Sequence, residues 1–249
     1  SKKAWESVDG KVGTSTPSVS GPYLFKEWQP KQKTIFVRNP EWHGGEASLD
    51  EIHIIPIDDE NTAQLAFEAG DIHYTRVPMS SVANLKDSPP ANSMVEEYPS
   101  LYYVWVGMNV ENELLSNQNL RKAIQHAIDV PSIMQASYFG AAVPSTGIIA
   151  PGLTGHRAES LVAPEANVAR AKEYLDASGL SGNIRVTLDI LNKAANVTTA
   201  QVIQANLAQV GITLDINLHE SGAFWSLGDD TAGDRYKDIQ LILNRYSMG

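Results

Sequence analysis

The chain has 249 residues, 43% apolar and 19% charged, the composition of a globular protein with a real core. A net charge of −10 argues against nucleic acid as a partner, because nothing here would neutralise a phosphate backbone. Cysteine is absent, which excludes disulfides, thiolate nucleophiles and Cys-ligated zinc, and no apolar run reaches the ~18–20 residues that span a bilayer.

Residues 1–20 form a polar, Gly/Ser/Thr-rich lead and read as flexible. Gly21-Pro22 turns the chain into a strand over Tyr23 to Trp28, and Thr34 to Arg38 returns as the second arm of a hairpin. Asn39 to Gly45 is an irregular loop, since Pro40 and the Gly pair interrupt any ladder. Glu51 to Ile57 is the third strand. Asp59 caps a helix over Thr62 to Ala69 that Gly70 ends, and Asp71 to Val77 is a further short strand. Ser80 or Ser81 caps a helix over Val82 to Lys86, stopped by Ser88-Pro89-Pro90, and Met94 to Glu97 reads as a short strand.

The run Leu101-Tyr102-Tyr103-Val104-Trp105-Val106-Gly107-Met108-Asn109 is apolar on both alternating faces, which predicts a strand buried between layers. Beyond it, helices and strands alternate. Asn119 to Asp129 sets Leu120, Ala123, Ile124 and Ala127 on one helical face, and Pro131 opens a second helix that Gly140 ends. Val143 to Leu153 is a Pro/Gly-punctuated loop. Helices over Glu165 to Ala177 and Thr198 to Val210 alternate with strands over Ile184 to Leu191 and Ile212 to Leu218. A last strand spans Asp238 to Leu243. This order predicts an α/β unit after residue 180. The chain stops directly after an apolar strand, which suggests a segment of a longer protein.

No residue pattern asks for catalysis. The histidines at 43, 53, 73, 126, 156 and 219 make no His-x-x-x-His or His-Glu-x-x-His pair. His53 and His73 fall on adjacent predicted strands and could share a metal, but ordinary strand histidines account for them as well, and His126 reads as solvated. Gly-x-Ser-x-Gly, Gly-x-x-x-x-Gly-Lys and Gly-x-Gly-x-x-Gly are all missing, so acyl transfer and nucleotide binding lack their usual carriers. Asp58-Asp59 and Asp229-Asp230 sit in polar loops and read as turn or cap acids. Asn196-Val197-Thr198 fits a glycosylation triplet or a helix start equally well. Aromatic side chains with a few polar handles remain, which is what lines a small-ligand cleft; most of these rings would also serve as core.

Several ordered stretches resemble the family 5 extracellular solute-binding proteins, the periplasmic dipeptide- and oligopeptide-binding components of ABC importers. Gly21 to Trp28 is similar to the family's GPY strand, and Arg38-Asn39-Pro40-Glu41-Trp42-His43-Gly44-Gly45 resembles its RNP loop, with Trp-His where Tyr-Trp is common. Ala66 to Ile72 resembles its helix stop, with His73 where Asp is usual. Leu120-Arg121-Lys122-Ala123 through Asp129 resembles its "R-x-A" helix, and Ala141 to Gly152 its Pro/Gly loop.

The resemblance implies a periplasmic binding protein-like class II α/β fold, here carrying part of lobe I and most of lobe II, with a ligand taken between two closing lobes. On that map residues 1–20 are the lead, 21–103 part of lobe I, 104–243 most of lobe II, and 244–249 the start of the return crossing. The crossing implied by the resemblance makes Tyr103 and Trp105 cleft rings; with the polar handles and aromatic read from the residues, the expected ligand contacts are Tyr103, Trp105, Asn109, Glu220, Ser221, Arg245 and Tyr246, and the hinge positions Ser100, Gly107 and Asn244. The implied partners are a small solute (peptide, opine, sugar or similar) and an ABC transporter membrane permease, at the periplasmic or extracellular face of the membrane. No cofactor, metal or catalytic residue is expected. A hydrolase or transferase domain, and a sensory or adhesion receptor on the same fold, are the alternatives.

Overall fold

A computed structural model of the chain describes residues 19–98, 102–228 and 234–247, so the expected lead over 1–20 and hinge residue Ser100 lie largely outside the described residues. The chain divides into two units with the boundary between Pro78 and Met79.

In the first unit, β1 (Tyr23–Gln29), β2 (Lys33–Arg38) and β3 (Glu51–Ile54) form an antiparallel sheet in that order. Side chains explain the two motifs at its start. Asn39 is buried, with its Nδ2 donating to the Gly21 carbonyl at 2.9 Å and its backbone N–H to the Pro22 carbonyl at 2.9 Å. Arg38 pairs with Glu46, and with Asp50 at 3.0 Å. The Arg-Asn-Pro loop is thus a clamp that fastens the start of β1 to the end of β2. β3 stops at Ile54, three residues short of the expectation, because Pro56 has no N–H to offer a ladder. Helix α1 (Glu60–Glu68) begins at Asp59, whose Oδ1 accepts from Thr62 N at 2.8 Å.

The strand expected over Asp71 to Val77 does not form: no described strand lies alongside to complete its ladder, and Tyr74 is 88% exposed. The expected strand over Met94 to Glu97 does not form either: these residues have no regular secondary structure. Between them a 3₁₀ turn (Met79–Ser81) leads into α2 (Val82–Asp87). Ser81 occupies the cap position with helical dihedrals, so its hydroxyl caps nothing.

The second unit is built on a four-stranded sheet of β4 (Tyr102–Met108), β5 (Ile184–Leu191), β6 (Ile212–His219) and β7 (Leu241–Ser247) in the order β4-β7-β5-β6. β7 and β6 run parallel to β5, and β4 pairs antiparallel with β7. One face of the sheet carries Val186, Leu188, Ile190, Leu214, Leu241 and Leu243, all essentially inaccessible. They pack on α3 (Gln118–Ala127), α5 (Val168–Ala177) and α6 (Ala194–Ala208) in one continuous core. Burying a Leu or Ile side chain contributes about 1.5–3 kcal/mol, so this layer is the main source of the unit's stability. α4 (Val130–Tyr138) packs on α6, and the short α7 (Ser221–Trp225) packs on β5.

Polar residues set the helix ends. Asn117 caps α3 by accepting from Asn119 N and Leu120 N, and donates to Ser178 O at 2.9 Å, tying the start of α3 to the end of α5. Arg121 donates to the carbonyls of Leu115 and Ser116. Asp129 caps α4 through Ser132 N and accepts from Ala166 N, both at 3.0 Å. The Ser132 hydroxyl and the Ala166 N–H hold the Asp129 carboxyl below its usual range. The arginine and aspartate of the "R-x-A … D" motif are therefore structural.

Some expectations shift. α5 starts at Val168 rather than 165, because Asn167 supplies the cap. α6 starts at Ala194, four residues early. α4 ends at Tyr138 as expected, with Phe139, before Gly140, as its left-handed cap. His126 is not simply solvated: its ring stacks on Tyr174 at 5.3 Å.

β4 departs most from expectation. It is an edge strand among the described residues, with Tyr102 48% and Val104 41% exposed, not a strand sandwiched between layers. Its partner β7 begins at Leu241 and runs on through Asn244, Arg245 and Tyr246.

Candidate functional site

β4 and β7 lie far apart in sequence and side by side in space. Their register sets Tyr103 opposite Tyr246, Trp105 opposite Asn244 and Gly107 opposite Ile242; the alternate row pairs Val104 with Arg245 and Val106 with Leu243. Directly opposed residues share a sheet face, so Tyr103, Trp105, Asn244 and Tyr246 stand on one side and Arg245 on the other. The Tyr103 and Tyr246 rings meet at 6.0 Å between centroids, tilted by 58°. The Arg245 guanidinium carbon lies 5.2 Å from the centre of the Tyr102 ring, within cation–π range.

Trp105 has two particular features. Its Nε1 is buried and finds no hydrogen-bond acceptor among the described residues, and an unmet buried donor costs about 1–3 kcal/mol. Its six-membered ring lies over Gly107, where an added Cβ would sit 2.4 Å from Trp105 Cζ3 and 3.0 Å from Ile242 Cγ2. Gly107 has no left-handed φ. The glycine is there because the indole occupies the space a side chain would need.

The register with β5 continues this pattern. Leu243 aligns with Ile190, and Leu191 with His219, so the residues following them emerge at the carboxyl ends of β5, β6 and β7. In open α/β sheets ligands bind outside those ends. Glu220 and Ser221 follow β6 at the same end; Glu220 accepts from Asn192 Nδ2 at 2.9 Å, and Ser221 is exposed at the start of α7. Asn244 accepts from Arg245 N at 2.7 Å, a local bond. Asn109 sits elsewhere. It follows the opposite end of β4, where its Nδ2 donates to the carbonyls of Tyr236 and Ile239, each at 2.9 Å, so its amide is committed to holding the approach to β7.

Sequence reading missed a polar cluster at the same end. Asp189 is 6% exposed, and its Oδ1 accepts from Asn217 Nδ2 at 3.1 Å and meets His219 Nε2 at 2.7 Å. Phe224 of α7, itself buried, lies 6.5 Å from the His219 ring. The available signal was an acid in the middle of the apolar run Leu188-Asp189-Ile190, since a buried carboxylate needs partners. Tyr138, at the end of α4, was missed as well. Burial pushes its phenol up, while a hydrogen bond with Thr199 and the Arg245 charge oppose that shift. Of the metal candidates, His53 hydrogen-bonds Glu51 at 2.9 Å, and His73 lies on no strand. No group of three metal-ligating side chains occurs among the described residues.

A mixed sheet packed on helices, with aromatic and polar side chains gathered at the carboxyl ends of its parallel strands, is the architecture of a periplasmic binding protein-like class II lobe. The chain belongs to the bacterial extracellular solute-binding proteins, family 5: the model described as "Bacterial extracellular solute-binding proteins, family 5 Middle" matches residues 4–243. It is similar to the glutathione-binding protein GsiB of Escherichia coli strain K12, 26% identical over 212 residues, which cover 83% of this chain and 40% of that protein. Its fold is similar to that of DppA from Helicobacter pylori in complex with the peptide STSA, with a TM-score of 0.81 and 25% identity over 98% of this chain and 46% of that one. The oligopeptide-binding protein AppA from Bacillus subtilis, in complex with a nonapeptide, gives a TM-score of 0.77 at 24% identity, covering 92% of this chain and 47% of that one. The chain thus spans about 40% of the length of the curated relatives it matches.

Proposed function

We propose that this chain is part of the ligand-binding component of an ABC importer, capturing a peptide or another small solute between two lobes for delivery to a membrane permease, without catalysis. Residues 21–103 contribute to the first lobe, 104–243 to the second, and 244–249 begin the return between them. The protein works at the periplasmic or extracellular face of the membrane; no helix among the described residues is long and apolar enough to cross it. Relatives named for glutathione and peptides support a peptide-like solute.

The observation that carries this reading is the β4–β7 ladder, which sets Tyr103, Trp105, Asn244 and Tyr246 beside one another at the carboxyl end of the sheet. Aromatic walls with a few polar groups suit a small solute. Trp105 Nε1 is a donor with no acceptor among the described residues, and a ligand oxygen would satisfy it. Glu220 and Ser221 are further contacts at that end, and Asn244 and Gly107 are the hinge candidates. Closing lobes over the ligand would exclude water and strengthen each polar contact, and the closed form would be selected by its higher affinity.

Native mass spectrometry of the protein as its host makes it, followed by thermal-shift assays with whatever co-purifies and with peptides, opines and sugars, tests the reading. A bound small solute and a ligand-dependent rise in melting temperature are expected. Turnover of a substrate with no such stabilisation by any solute would overturn it in favour of an enzyme.

A further inference from the structure

Asp189 lies where a sheet has little use for an acid. Leu188 and Ile190 flank it on β5 and enter the helix-covered core, so alternation turns Asp189 to the other face. The registers set Asp189 beside Ile242, and Ile242 beside Gly107, so this is the face that also carries Trp105 and Asn244. The carboxylate accepts from Asn217 Nδ2 at 3.1 Å and meets His219 Nε2 at 2.7 Å. A carboxylate only accepts, so this contact puts the imidazole proton on Nε2 and fixes the ring. The imidazole in turn meets the buried Phe224 ring at 6.5 Å, and Phe224 meets Trp225 edge-on at 5.2 Å. Both rings belong to α7, which has five residues and no side-chain cap. A helix that short does not hold its shape alone. Its place is set from the sheet, by Phe224 and by Asn192, whose backbone N–H donates to the His219 carbonyl at 2.8 Å and whose Nδ2 donates to Glu220 at 2.9 Å.

We propose that Asp189 is a positioning residue for solute binding: it orients His219, and His219 backs Phe224, so that α7 holds Ser221 and Trp225 in place at the strand ends. The proposal rests on the reading of these strand ends as the ligand site. Asp189 is itself too buried to meet a solute, so its effect passes through the imidazole. Groups that bind a ligand act only when their supports hold them to within about 0.5 Å, and a close-packed interior passes a displaced ring on to its neighbours. The sheet does not need this pair for its own pairing. β5 and β6 are aligned from Ile184 and Ile212 to Leu191 and His219, over a core of Val186, Leu188, Ile190 and Leu214. A buried acid costs free energy unless it is bonded, and the element it supports here is the uncapped α7.

The test compares Asp189→Leu, Asp189→Asn and His219→Leu in the intact protein, by hydrogen–deuterium exchange and by calorimetric titration with glutathione, di-, tri- and tetra-alanine, opines and sugars. Asp189→Leu is expected to speed exchange over residues 220–228 while 212–218 on β6 stay protected. It should also weaken binding of whichever of these solutes the parent binds by about tenfold, the factor that matches one lost hydrogen bond. Asp189→Asn keeps the Oδ1 acceptor and should restore most of both. His219→Leu should reproduce the loss, and with it in place Asp189→Leu should cost nothing further, because the acid acts through the imidazole. Circular dichroism checks that each variant folds; should Asp189→Leu not fold, the contrast between Asp189→Asn and His219→Leu decides. Unchanged exchange over 220–228, unchanged affinity, or a loss of protection shared equally by β6 overturns the positioning role and leaves solute binding standing. Binding of none of these solutes by the parent protein overturns both.

Discussion

Gly107→Ala separates two opposite expectations. Judged by sequence alone, replacing a strand glycine should stabilise, because alanine gives up less unfolded-state freedom, by about 0.4–1 kcal/mol. In the structure the new Cβ would lie 2.4 Å from Trp105 Cζ3, 3.2 Å from Trp105 Cε3 and 3.0 Å from Ile242 Cγ2. Comfortable carbon contacts are about 3.5–4.0 Å, so the indole must withdraw by about 1 Å from a position set by the β4–β7 ladder. Overpacking of this kind costs about 1–3 kcal/mol. Set against the entropic gain, a net destabilisation of about 1–2 kcal/mol is expected. Urea unfolding followed by tryptophan emission would show it as a lower midpoint at unchanged slope. In a Trp105→Val background the ring is gone, and the same glycine substitution should be neutral or stabilising. A neutral or stabilising Gly107→Ala with Trp105 in place, or an equal loss in both backgrounds, would refute the steric account.

Leu188→Ala removes a fully buried side chain from the central strand β5, and a loss of about 2–5 kcal/mol in urea-unfolding free energy is expected; less than 1 kcal/mol would mean the core is not where we place it. Asn109→Ala removes the amide that donates to the Tyr236 and Ile239 carbonyls, of which Tyr236's keeps the Ile239 N–H, and should lower stability by about 1–3 kcal/mol with no change in solute affinity; weaker solute binding at unchanged stability would instead favour Asn109 as a ligand contact. Asp129 has a folded-state pKa below its unfolded value, so the stability it contributes is present above about pH 4 and is lost as pH falls through the lowered folded value. Melting temperatures measured from pH 6 down to the onset of acid unfolding should therefore fall less steeply for Asp129→Asn than for the parent chain, and parallel curves would count against this assignment.

The helices were legible in outline because their apolar spacing survives without tertiary help: Leu120, Ala123, Ile124 and Ala127 are buried as the 3.6-residue period requires. Their starts were less so. Asn167 and Asp129 act as caps through bonds to Arg170, Ser132 and Ala166, and a cap is settled by geometry rather than by residue type alone. The expected strand over Asp71 to Val77 shows the reverse failure. Strand propensity describes a surface that suits a ladder, and without a neighbouring strand the segment stays irregular, with bends at Asp71 and His73.

For the site the division is sharper. Sequence by itself pointed to the family, because the Arg38-Asn39 loop and the Arg121 to Asp129 helix are legible motifs, made in this chain of clamps and caps. It also located an aromatic run at Tyr102 to Met108 and an aromatic-basic run at Arg245-Tyr246. Only the tertiary structure decided that these two runs are partners in one ladder, that Trp105 fills the space above Gly107, and that Asn109 supports the backbone at the far end of the strand. It alone exposed the Asp189–His219 pair. The physical reason is that strand pairing is a non-local choice. Each strand carries its alternation along its own length, but which strand lies beside it, in which register and facing what, is fixed by the shared core of Leu241, Leu243, Leu188 and Ile190 onto which both must fold.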